Sequence, residues 1–159
     1  MTSDAGGPAS CVAPRRVAGM QASDRRALGL ATLIGGAGVL HMVRPEFFDA
    51  IVPAWMPGTK RATTLVSGAA ELAGAVLVAN PRTRRLGGWV CFWVFLGVYP
   101  ANIQSALDGG IASASPPLDS AAAAWLRLPL QIPLLLWARR VAREARPPDE
   151  RRQRSVTPA

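Results

Sequence analysis

Six side chains that can donate or accept hydrogen bonds interrupt the long apolar stretches of this sequence. They are His41, Glu71, Tyr99, Asn102, Arg127 and Gln131. A carboxylate or a guanidinium in an apolar surrounding is costly unless a partner of opposite charge lies beside it. Imidazole, phenol and amide groups can hydrogen-bond to one another or to the polar head of a small ligand. Whether these residues form one site depends on the elements that position them.

The apolar stretches have the length and composition of membrane-spanning helices. A helix rises about 1.5 Å per residue, so about 20 residues cross a hydrocarbon core of about 30 Å. Four stretches of this size lack the regular polar face of a soluble helix: Ala27–Val43, Thr63–Ala79, Leu86–Leu107 and Ala121–Ala138. We therefore predict an all-α protein, a polytopic membrane four-helix bundle that forms one domain over residues 27–138.

The distribution of basic residues predicts the orientation of this bundle. If the spans alternate in direction, fourteen arginines fall on the side of the two termini and the second loop, against three basic residues on the other side. Cytoplasmic segments of membrane proteins have such an excess of basic residues. We expect a multi-pass protein of the inner or plasma membrane with both termini in the cytoplasm. The net charge of +8 then reflects topology, so the expected partner is the lipid bilayer and not nucleic acid.

Three segments lie outside the predicted spans. Residues 1–26 are rich in Gly, Ala, Pro and Ser without the apolar core of a signal peptide, so we predict a disordered N-terminal tail. Residues 139–159 form a basic C-terminal tail. The first loop, "RPEFFDAIVPAWMPG", begins with Pro45 and has the composition of a short amphipathic helix. We expect this helix at the outer interface of the membrane, with Trp55 as an anchor.

Counting along the spans places the polar residues in one layer. At about 1.5 Å per residue, Glu71 lies about 12 Å, and Arg127 about 9 Å, from the outer end of its span. The other members of the layer fall at similar outer depths: His41, Tyr99, Asn102 and Gln131. The sequence therefore predicts that Glu71 faces Arg127 across the interior of the bundle.

The polar layer has two interpretations. In the first, Glu71 and Arg127 only hold two helices together, while Tyr99 and Asn102 satisfy carbonyls that Pro100 leaves without a donor. In the second, the layer surrounds a cavity that binds a ligand. Neither interpretation includes a catalytic residue or a metal: Ser67 has no histidine base beside it, and one histidine with two separated cysteines cannot form a zinc site.

Four segments of the chain together resemble the DoxX-like family of small bacterial membrane proteins. They are "GVLHMVRPEFFDAIVPAWMP", "LVSGAAELAGAVLVANPRTRRLGGW", "VYPANIQSAL" and "WLRLPLQIPLLLWA". The resemblance extends from about Leu28 to Ala138 and implies a four-helix membrane bundle. The positions typical of the family are His41, Arg44, Pro45, Glu71, Pro100, Asn102, Arg127 and Gln131. Most of them belong to the polar layer.

The resemblance also implies a link to redox metabolism. The namesake of the DoxX-like family is a membrane subunit of a thiosulfate:quinone oxidoreductase. Quinone is therefore the candidate cofactor, and a membrane or peripheral oxidoreductase is the candidate partner. This chain differs from a redox catalyst in that it has no pair of thiols, since Cys11 and Cys91 are far apart.

From these observations we expect an accessory membrane subunit without independent catalytic activity. It would bind a small amphiphile such as a quinone in the outer half of the bundle. Arg127 and His41 would donate hydrogen bonds to its head group, and Glu71 would hold Arg127 in place. The alternatives are a structural or assembly protein that binds no ligand, and a small transporter. Because four spans are few for a transport path, a transporter would need to form a homo-oligomer.

Overall fold

The fold consists of four long helices and one short helix. It is described by a computed structural model over residues 21–111, 116 and 119–145. The helices are α1 (Ala22–Val43), α2 (Pro45–Asp49), α3 (Lys60–Ala79), α4 (Arg84–Leu107) and α5 (Ala121–Glu144). All except α2 are long and apolar enough to cross a membrane. The prediction of an all-α four-helix membrane bundle is confirmed, and α2 falls in the predicted amphipathic segment.

All four long helices extend beyond the predicted spans, and α1 and α5 do so by five residues or more. α1 begins at Ala22, ahead of the predicted Ala27, and α5 continues past Ala138 to Glu144. These extensions contain charged residues, which hydropathy alone does not place in a span. Some of these charges are paired: Glu144 accepts from Arg140 at 2.7 Å and from Arg26 at 2.5 Å. The rest of the predicted tails, residues 1–20 and 146–159, lies outside the described residues.

Side chains at the helix ends satisfy backbone groups that the helices leave without partners. The hydroxyls of Thr59 and Ser120 cap the N-termini of α3 and α5. In the turn between α3 and α4, the Thr83 hydroxyl donates to the Leu77 carbonyl at 2.9 Å. Arg84 Nε donates to the Val78 carbonyl at 3.2 Å. This short turn makes α3 and α4 antiparallel neighbours.

The bundle is built from two helix pairs. α1 packs mainly on α3, α4 packs mainly on α5, and α3 and α4 join the pairs. α1 and α5 meet where α1 begins and α5 ends, which we call the terminal end of the bundle. There, Trp137 Nε1 donates to the Arg26 carbonyl at 3.1 Å. The opposite end, beside α2, is the α2 end.

The apolar core lies toward the terminal end. It contains buried residues from all four long helices: Ala27, Leu30, Ile34, Ala75, Val78, Cys91, Phe95, Ala138 and Val141. Toward the α2 end, the two helix pairs are separated by a cavity instead. The cavity between the helix pairs therefore lies in this second half of the bundle.

Candidate ligand-binding cavity

A cavity of about 310 Å³ lies between the helices at the α2 end. Most of its wall is apolar, with aromatic side chains from Phe47, Phe48 and Phe95. Five of the six predicted site residues line it: His41, Glu71, Asn102, Arg127 and Gln131. A mostly apolar cavity with a few convergent polar groups is typical of small-molecule sites.

Glu71 pairs with His41. The distance from His41 Nδ1 to Glu71 Oε2 is 3.1 Å, and the two side chains are 10% and 8% exposed. The structure thus puts His41 beside Glu71, in the place where the sequence predicts Arg127. Equal depth along two spans puts their residues at the same level of the bundle, but it does not show which helices are in contact. α3 is in contact with α1, whereas Arg127 enters the cavity wall from α5.

Two glycines bring His41 against α3. A Cβ at Gly68 would lie 2.5 Å from the Cβ of His41, and a Cβ at Gly38 would lie 2.9 Å from the Gly68 carbonyl oxygen. No larger residue fits at either position without moving the helices apart. Small residues allow such close approach of membrane helices. Since Glu71 follows Gly68 by about one turn, the same approach places its carboxylate beside the imidazole.

The hydrogen bonds of His41 fix the position of its proton. Nδ1 lies 2.9 Å from the carbonyl oxygen of Ala37. A carbonyl only accepts, so Nδ1 is the donor in this contact. Its hydrogen is directed along α1 to Ala37, and Glu71 Oε2 lies alongside. In the described part of the chain, Oε2 is buried without a hydrogen-bond partner of good geometry.

The short helix α2 covers the cavity on the His41 side. The rings of Phe48 and His41 are stacked, with centroids 3.5 Å apart and an interplanar angle of 18°. Arg61, in the first turn of α3, holds α2 through Asp49 at 2.8 Å and Glu46 at 3.5 Å. Burial alone would raise the pKa of Asp49. The nearby Thr64 hydroxyl and the Arg61 guanidinium, which donates to Asp49, outweigh burial, so the pKa lies below its ordinary value.

Two other predicted residues, Gln131 and Tyr99, link α4 to α5. Gln131 Nε2 donates to the Phe95 carbonyl at 2.8 Å. The Tyr99 hydroxyl is 3.5 Å from the Leu128 carbonyl, at the limit for a hydrogen bond. Tyr99 is not part of the cavity wall, unlike the other five predicted residues. Gln131 therefore both lines the cavity and connects two helices.

A larger cavity of about 440 Å³ lies at the terminal end, but its charged residues satisfy one another. Arg84 donates to Asp24 at 2.6 Å, and Arg26 pairs with Glu144 at 2.5 Å. Among the residues that the structure describes, no group of three or more His, Cys, Asp or Glu could hold a metal ion. The α2-end cavity is the stronger candidate site, because Glu71 Oε2 in its wall has no hydrogen-bond partner of good geometry among the described residues.

A family model described as a domain of unknown function, DUF8561, matches residues 30–142. The chain belongs to the DUF8561 family. Neither the curated proteins nor the solved structures include a significant match. In this DUF8561 chain the matched residues run from α1 into α5, so they include every helix that lines the cavity.

Sequence reasoning on this DUF8561 chain missed two residues of the site. Thr64 precedes Ser67 and Glu71 at helical spacing, and all three line the cavity. That spacing was a usable signal. For Phe48 the sequence contains no such signal, because its contact with His41 depends on how α2 folds back over the bundle.

Proposed function

We propose that this membrane protein binds a small amphiphile in the α2-end cavity and acts as an accessory subunit of a membrane redox system. The observation that carries the proposal is the composition of the cavity wall. Eight polar side chains from four helices, five of them predicted from the sequence, converge in a space that is otherwise apolar. Such a wall suits a molecule with a polar head and an apolar body.

A quinone is the candidate ligand, supported by the resemblance to the DoxX-like family. Its flat ring would lie among the aromatic residues of the wall. Arg127 and Asn102 offer donors to a carbonyl group. Basic residues are in excess at the terminal end, and such an excess marks the cytoplasmic side of a membrane protein. In this proposal both termini therefore lie in the cytoplasm, and the α2 end faces away from it. An oxidoreductase in or on the membrane would then be the partner.

A structural role without a ligand is the second candidate. It is favoured by the Gln131–Phe95 hydrogen bond and the His41–Glu71 pair, each of which connects two helices. In that case the polar side chains serve only to hold the helices in register. The two candidate functions can be distinguished by filling the cavity, because this should abolish ligand binding only if the cavity holds a ligand.

Gly97 and Gly36 provide a matched test of ligand binding. Both are exposed helical glycines, and a Cβ at either meets nothing within 4 Å. Only Gly97 lines the cavity. We expect the full-length protein, analysed by lipid extraction and native mass spectrometry, to retain an amphiphile that Gly97→Leu loses and Gly36→Leu keeps.

An empty protein should instead bind an added naphthoquinone or its reduced, hydroxyl-bearing form in lipid nanodiscs, again with loss in Gly97→Leu alone. Absence of the retained ligand together with absence of binding of both forms would contradict the proposal. Equal binding by the two leucine variants would contradict it as well, since the ligand would then lie outside the cavity.

A further inference from the structure

The Glu71 carboxylate presents an unused acceptor inside the cavity. Its side chain is 8% exposed and forms part of the wall. Within the described ranges, Oε2 has no hydrogen-bond partner of good geometry. A buried carboxylate oxygen without a donor is costly, and a ligand that supplies the donor removes that cost.

His41 does not provide this donor. Its Nδ1 hydrogen is used by the Ala37 carbonyl, although Oε2 is only 3.1 Å from the nitrogen. Nor can Glu71 donate to Nδ1, because a nitrogen that bears a hydrogen has no lone pair to accept with. In the neutral ring, Nε2 is then also an acceptor. His41 and Glu71 together therefore supply no hydrogen-bond donor for Oε2.

Arg61, in the first turn of α3 beside α2, does not donate to Oε2 either. Arg61 binds Asp49 and Glu46 on α2. The amide donor of Gln131 is directed to the Phe95 carbonyl. Neither group is available to Oε2 without breaking a contact that holds two elements together.

We infer that the cavity selects a ligand whose head group donates a hydrogen bond, from a hydroxyl or an ammonium group, to Glu71 Oε2. This inference rests on the proposed function and specifies its ligand class. The apolar body of the ligand would lie against Phe48 and Phe95. A head group with only carbonyl or ether oxygens would place lone pairs against the carboxylate. For a quinone-type molecule, the reduced, hydroxyl-bearing form is therefore the preferred one.

Matched naphthalene probes test this preference on the full-length protein in nanodiscs, with empty nanodiscs measured alongside. 2-Naphthol has the donor, 2-methoxynaphthalene lacks it, and 2-naphthylmethylammonium replaces the hydroxyl by a charged donor. We expect both donors to bind at least about tenfold more tightly than the ether, as is typical of a hydrogen bond to a charged group. The order of the two donors shows whether a neutral or a charged head group is the better match.

Two variants assign the preference to Glu71. In Glu71→Gln we expect the advantage of naphthol over the ether to fall below about threefold, because the bond to a neutral amide is weaker. Thr32→Val removes a polar group of α1 outside the wall and should keep the wild-type preference. The wild-type comparison alone decides the matter if Glu71→Gln does not fold.

Equal binding of naphthol and ether by the wild type, with both lost in Gly97→Leu, would overturn this inference and leave the proposed function standing. Binding of no probe at all would overturn both. A naphthol preference that survives Glu71→Gln, or that disappears in Thr32→Val, would place the donor contact on another residue.

Discussion

His41 Nδ1 lies 3.1 Å from Glu71 Oε2 because Gly68, on the same face of α3, leaves no side chain between α3 and α1. The two residues come from different helices and are 30 positions apart in the chain. Their contact therefore depends on the distance between two backbones. This relationship connects helix packing to the candidate site.

Gly68→Ala should separate α1 from α3 and destabilise the protein. The added Cβ would lie 2.5 Å from His41 Cβ, and overpacking of this kind costs about 1–3 kcal/mol. Unfolding in detergent measures the change. Gly36→Ala, where a Cβ meets nothing within 4 Å, is the control and should not destabilise. Equal effects of the two alanines would show that the close approach is unimportant.

A double-mutant cycle on His41 and Glu71 should show strong coupling. Removing one partner of a buried pair leaves the other uncompensated, whereas removing both avoids this cost. We expect His41→Leu and Glu71→Leu to be non-additive in free energy of unfolding by about 0.5–3 kcal/mol. The same cycle on Glu71 and Arg127 should be additive within about 0.5 kcal/mol. The reverse pattern would restore Arg127 as the partner of Glu71.

Gln131 and Asn102 both line the cavity, but we expect leucine to affect them differently. Gln131→Leu leaves the Phe95 carbonyl without its donor and should cost about 1–3 kcal/mol of unfolding free energy. Asn102→Leu should change stability by less than about 0.5 kcal/mol while it weakens ligand binding. Unfolding and binding assays on both variants separate the two roles. A large loss of stability in Asn102→Leu would instead favour the purely structural function.

The anchoring of α2 through Asp49 should be lost only in acid. The pKa of Asp49 is lowered in the folded protein, because the nearby Thr64 hydroxyl and the hydrogen-bonded Arg61 guanidinium outweigh burial. Its contribution to stability is therefore complete above the ordinary pKa and disappears as pH falls through the lowered value. We expect the melting-temperature difference between the wild type and Asp49→Asn to vanish in that acidic range. A difference that vanished instead toward alkaline pH would contradict this account.

The spans could be predicted from the sequence because length and apolarity are properties of each segment by itself. Depth along a span also follows from counting, which is why His41 and Glu71 were assigned to one layer. The partner of Glu71 could not be predicted, since residue counts do not show that α1, rather than α5, approaches α3 at Gly68. The stacking of Phe48 on His41 depends on the path of the first loop, which no periodicity encodes.

Tyr99 also shows that depth alone does not predict membership of the site, because here a residue at the right depth does not line the cavity. Its depth matches that of the other polar residues, yet it is turned toward the Leu128 carbonyl and away from the cavity. Depth gives the level of a side chain, whereas its direction depends on the rotation of α4 about its axis. That rotation is set by packing against α5.

Photolabelling of the full-length protein in nanodiscs tests most directly whether the α2-end cavity binds an amphiphile. With a diazirine-bearing fatty alcohol as the probe, peptide mapping should place the label on the Phe47–Met56 segment and on residues 95–102. Gly97→Leu should abolish this labelling, and Gly36→Leu should preserve it. Labelling confined to exposed residues such as Trp93 and Trp125, unchanged in Gly97→Leu, would contradict the claim.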